Sequence, residues 1–142
     1  MNTVLAVRIA LFSLAVPLAL AAFPARADIG AGSWELEITT VMPGAPKTPV
    51  KQVQCMSAED AKDPANLIGG PGPGCTFGNR RDDGSTFRFD VACTSGAPLS
   101  GSGELHYARE SLNGEIVVHM KQGDKQIEVH SLLKARRLGP CR

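Results

Sequence analysis

Apolar and polar residues alternate along most of the chain with a period of two, starting near Gly32. Trp34, Leu36 and Ile38 interleave with Glu35, Glu37 and Thr39, which predicts a strand with one buried and one wet face. The same rhythm returns where Phe87, Phe89, Val91 and Cys93 share one side, with Arg88 and Asp90 opposite. It predicts further strands over residues 50–56, 75–81, 86–93, 103–109, 115–121 and 125–138. Turn chemistry separates them: the proline-rich run 42–49, Asp82-Asp83-Gly84-Ser85, Asn113-Gly114 as a two-residue hairpin, and Gly123-Asp124. The one helix candidate starts at Ser57-Ala58-Glu59-Asp60, an N-cap with acidic first-turn residues, and Pro64 limits it to about Lys62. Residues 69–74 (Gly-Gly-Pro-Gly-Pro-Gly) are a loop and lack the Lys and Ser/Thr of a phosphate cradle. The fold expected is mainly β, an antiparallel meander of about seven strands curled into a barrel or half-barrel.

Residues 1–27 break this rhythm. Arg8, an apolar stretch over 9–22 and Ala25-Arg26-Ala27 read as a cleavable secretory signal, too short to span a bilayer. Residues 28–142 then form one β domain in the periplasm, with no stable membrane insertion after cleavage. All four cysteines, Cys55, Cys75, Cys93 and Cys141, lie in this part. An even count in a small exported domain points to two disulfides, and three pairings are open. Cys75 and Cys93 flank the Asp82–Ser85 turn signal at similar distances, which favours 75–93 and leaves 55–141. A long loop of the second kind contributes on the order of 4 kcal/mol by chain entropy. After Ala27 there are 13 basic and 14 acidic residues, a balance that offers nucleic acid no basic field.

Catalytic constellations are absent. Bridged cysteines are poor nucleophiles, no G-x-S-x-G occurs, Glu35 and Glu37 point outward, and Asp82 and Asp83 sit in a turn. The expectation is therefore a protein that is not an enzyme and needs no cofactor. The histidines stand out more. His106, His119 and His130 fall on three consecutive expected strands, all on the face opposite Leu105, Val118 and Val129. A turn at Asn113-Gly114 would set His119 diagonal to His106, and a turn at Gly123-Asp124 would set His130 diagonal to His119. Diagonal neighbours lie about 7–8 Å apart, within reach of a shared zinc or copper ion. The plainer reading is a solvated polar face on which these residues alternate with Glu104, Glu115 and Glu128, and a one-residue slip would break the metal geometry.

Gly32-Ser33-Trp34, Gln54-Cys55, the two central cysteines, Gly101-Ser102-Gly103 and Arg137-Leu138-Gly139-Pro140-Cys141 occur in an order that resembles a bacterial four-cysteine family catalogued as domain of unknown function 3617. The resemblance covers residues 31–141 and implies an exported, mostly periplasmic β protein; no catalytic residues carry over from it. The Gly32-x-Trp34 start also resembles the calycins, in which an Arg of a late strand covers the Trp, here Arg136 or Arg137. Ser102-Gly103-Glu104-Leu105-His106-Tyr107 resembles the S-G-x-x-Y motif of periplasmic lysozyme inhibitors, with one extra residue before Tyr107. The function expected is a non-enzymatic binding module of the cell envelope, contacting an envelope protein or a small apolar ligand through loops 69–74 and 95–102. A calycin-like carrier and an inhibitor of an envelope hydrolase are the alternatives.

Overall fold

The computed structural model describes residues 28–142 except Ala97. The export signal read over residues 1–27 lies outside the described residues. Seven strands form one antiparallel sheet: β1 (Gly32–Val41), β2 (Thr48–Met56), β3 (Cys75–Asp82), β4 (Thr86–Cys93), β5 (Leu99–Ala108), β6 (Ser111–Gln122) and β7 (Lys125–Gly139). Their order is β2-β1-β7-β6-β5-β4-β3. Every strand pairs with its neighbour in sequence except β2 and β3, and β1 pairs with β7. This is the cyclic order of an up-and-down barrel whose break falls between β2 and β3.

Alternation puts Trp34 and Leu36 of β1, Phe87 and Phe89 of β4, Leu105 and Tyr107 of β5, Leu112 of β6, and Leu133 and Ala135 of β7 into one buried cluster. Strands three places apart meet in this cluster, so the sheet curls around it into a half-barrel. Burying each large side chain contributes roughly 1.5–3 kcal/mol. Residues 57–74 cross from β2 to β3 over the break. The expected helix is here a pair of 3₁₀ turns, Asp60–Lys62 and Pro64–Asn66. The residue at the N-cap is Glu59 rather than Ser57, although Asp60 N–H donates to Ser57 Oγ at 3.1 Å just before the turn. Asp63 then caps the second turn by accepting from Ala65 N at 2.9 Å, where Pro64 fixes the first helical position. Ala65 and Leu67 enter the core cluster.

That crossing segment is tied to both lips of the break. Gln54 Nε2 of β2 donates to the Leu67 carbonyl at 2.6 Å. From β3, Arg80 pairs with Asp63 at 2.6 Å and lies 5.1 Å over the Phe87 ring. A register shift between Gly78 and Arg81, with Asn79 at φ 46°, turns Arg80 toward it. Disulfides pin two corners. Cys75–Cys93 joins directly opposed residues of β3 and β4, and Cys55–Cys141 ties β2 to the chain end beyond β7.

The hairpin expected at Asn113-Gly114 is a correction. Both residues lie inside β6, and the turn is Arg109-Glu110, with Ala108 opposite Ser111. Long-range bonds hold it: Gly30 N–H donates to the Arg109 carbonyl at 2.8 Å, and Arg137 N–H to that of Glu110 at 2.9 Å. Gly114 has a different task. A Cβ there would stand 2.2 Å from the Glu104 carbonyl and 2.8 Å from Leu105 Cα, so glycine permits the close approach of β5 and β6.

Gly114→Val should therefore destabilise the fold by about 1–3 kcal/mol or more through overpacking, read as a lower urea midpoint at unchanged slope. Opening Cys55–Cys141, whose loop spans 86 residues, with a Cys55→Ala/Cys141→Ala pair should lower stability by about 2–4 kcal/mol in the same assay.

Candidate functional site

The half-barrel has two unlike ends. At one, where β1 begins and β2 and β7 end, the core is full. Trp34 is fully buried and its indole Nε1 donates to the Gly30 carbonyl at 2.8 Å. Arg137 stands opposite Trp34 in the ladder and donates from Nε to the Ala31 carbonyl at 2.7 Å. Gly32, at φ 137°, makes room: a Cβ there would lie 2.9 Å from the Arg137 guanidinium. Arg136 points to the outer face, onto Glu35 at 3.0 Å, and holds that carboxyl below the usual range. Arg137 thus ties down the segment that leads into β1.

At the other end the inner face runs on past the core. Ile38, Phe77 and Ile116, with Ile68 of the crossing segment, are the partly buried residues packed against the cluster. Beyond them Val118, Met120, Ile127 and Leu99 keep to the inner parity, only partly covered, and Val50 is 63% exposed opposite Ile38. The result is an apolar trough open at its far end. From Ile116 to Gln122 it runs about 20 Å at strand rise. Among the described residues the turns 42–47, 69–74, 94–96 and 123–124 rim it. Two of the loops marked in the sequence meet here, since Thr94 N–H donates to the Gly74 carbonyl at 3.0 Å and Ser95 Oγ to that of Pro73 at 3.4 Å.

Residues 102–107, similar to the inhibitor motif, form the middle of β5 and are paired on both sides. Tyr107 is buried and donates to the Asp82 carboxylate, so the stretch is ladder rather than an inserting loop.

The histidines occupy the outer face, but the displaced turn separates them. His106 lies opposite Asn113, whereas His119 lies opposite Ser100 and Glu128, about 20 Å further along β6. His130 sits opposite Val117, diagonal to His119. Among the described residues no group of three His, Cys, Asp or Glu is arranged to hold a metal ion. Each histidine has a carboxylate instead: His106 meets Glu104 at 3.0 Å, His119 meets Glu128 at 3.5 Å, and His130 is held between Glu115 and Glu128. Glu104 also pairs with Arg88 at 2.6 Å, which lowers its pKa. Shallow depressions on this face, lined by Arg88, Glu104 and Glu115 and by His106, Asn113 and Lys134, carry charges that largely neutralise one another. The trough is the stronger site.

A family model described as "Protein of unknown function (DUF3617)" matches residues 29–141. No curated protein and no solved structure matches the chain.

Hydrogen bonds that His130 donates to the carboxylates of Glu115 first and Glu128 second raise its pKa above the ordinary 6.5. A folded-state pKa above the unfolded one means that the contribution is complete below the unfolded pKa and fades as pH rises through the folded value. NMR titration of the imidazole should show His130 titrating above 6.5, and Glu115→Gln should move it down; an unmoved midpoint would refute the assignment.

Proposed function

The chain belongs to the DUF3617 family, and we propose that it is an exported, periplasmic, non-enzymatic binding module that takes up an apolar partner in its open trough. One observation carries this reading: beyond the core cluster the apolar inner face continues through Leu99, Val118, Met120 and Ile127, which are only partly covered. Uncovered apolar area forfeits about 25 cal/mol per Å², and a concave apolar surface with polar groups at its mouth is the usual form of a ligand site. The two disulfides fit an oxidising, extracytoplasmic compartment, in keeping with the signal read in residues 1–27. They also stabilise a small β scaffold.

The concave site favours a small apolar ligand over a flat protein partner. The test is Nile red, an uncharged dye whose emission rises in apolar surroundings. It should bind with one-to-one stoichiometry. Met120→Asp and Ile127→Asp, at partly exposed positions, should abolish the emission while far-UV circular dichroism and the melting temperature stay close to those of the parent. Equal emission from parent and both variants would overturn the site.

A further inference from the structure

The two disulfides differ in what they add to the sheet. Cys75–Cys93 joins residues already opposite each other in the β3–β4 ladder, and Cys93 is buried. Cys55–Cys141 joins residues 86 apart in sequence, from β2 to the irregular backbone after β7, and both of its cysteines are exposed. The strand it ties is the one held least by packing. β2 is a sheet edge, hydrogen-bonded to β1 alone, and among its residues Met56 alone is buried. Among the described residues its side-chain ties are the Lys51–Glu37 pair at 3.1 Å and the Gln54 bond to the Leu67 carbonyl at 2.6 Å. The surroundings of the exposed disulfide are apolar. Val53 of β2 and Leu138 of β7 keep to the outer face beside Cys55, 62% and 46% exposed. With Cys55, Pro140, Cys141 and Arg142 they line one shallow depression.

An accessible disulfide is open to thiol–disulfide exchange, and exposed apolar side chains around it offer a protein reductant its contact. We propose that Cys55–Cys141 is a redox latch on β2, opened by a dithiol oxidoreductase that docks on Val53 and Leu138. The partner's thiolate attacks Cys141 Sγ, forming an intermolecular disulfide and releasing Cys55 as a thiolate, which takes a proton from water. The partner's second thiolate then displaces Cys141, which is protonated in turn. The partner leaves as a disulfide, and two electrons and two protons have passed to Cys55 and Cys141. Freed from the segment after β7, β2 frays from β1, while Cys75–Cys93 and the meander β3–β7 stay in place. The oxidised partner closes the latch by the same steps in reverse. The site lies on the outer face at the filled end and does not depend on the trough.

The experiment exposes the purified, fully oxidised protein to reduced thioredoxin or to dithiothreitol under native conditions, traps free thiols by alkylation and locates them by mass spectrometry. Cys55 and Cys141 should be alkylated about tenfold faster than Cys75 and Cys93. In the selectively reduced protein, amide hydrogen exchange should quicken in residues 48–56 and keep the parent rate in β4, β5 and β6. Val53→Asp/Leu138→Asp, at exposed positions, should slow reduction by thioredoxin about tenfold and leave the dithiothreitol rate unchanged. Opening of Cys75–Cys93 first, or of both bonds at one rate, would overturn the latch. Exchange that stays slow in β2, or that quickens through β4, β5 and β6 as well, would overturn it too, the second because the whole domain has then unfolded. Equal thioredoxin rates for parent and double variant would overturn the docking patch, as would equal slowing by both reductants.

Discussion

Pairing of β1 with β7 is the constraint on which the rest of the structure depends. It joins the N-terminal hairpin to the C-terminal end of a five-strand meander. In a simple meander the break would fall between the first and last strands. Here that join is made, and the break moves to β2 and β3. Three consequences follow. Residues 57–74 must cross the gap, which draws Ala65 and Leu67 into the core. Cys55 comes beside Cys141 at one corner, so a disulfide can lock the same join. The register shift between Ser33 and Trp34 sets Trp34 against Arg137 and lets Gly30 dock on the Arg109 carbonyl.

Much of this was legible in the residues because strand parity is a local property. The alternation around Trp34, Phe87 and Leu105 gave the buried face correctly, and the turns at Asp82–Ser85 and Gly123-Asp124 fell where their chemistry indicates. Asn113-Gly114 misled because its glycine serves close strand approach, while the real turn, Arg109-Glu110, is stabilised by partners some 27 to 80 residues away. No local signal marks such a turn. Moving it carried His106 away from His119, which shows how far a metal geometry inferred from register depends on a single turn.

The looser packing toward the open end has a cause in side-chain volume. The bulky residues Trp34, Phe87, Phe89 and Tyr107 all lie toward one end, and the Phe89 ring occupies the space over Gly103. Toward the other end β5 offers Gly101, whose missing side chain lets it approach the β6 backbone at Val117 and Val118. The crossing segment could have filled the space there as Leu67 does nearer the core. Instead it continues as Gly-Gly-Pro-Gly-Pro-Gly, which has no large side chain to contribute. A chain selected only for stability would place a Leu or Phe in that run and gain roughly 1.5–3 kcal/mol of burial. The looser packing toward this end therefore forgoes burial that one larger side chain in residues 69–74 would supply.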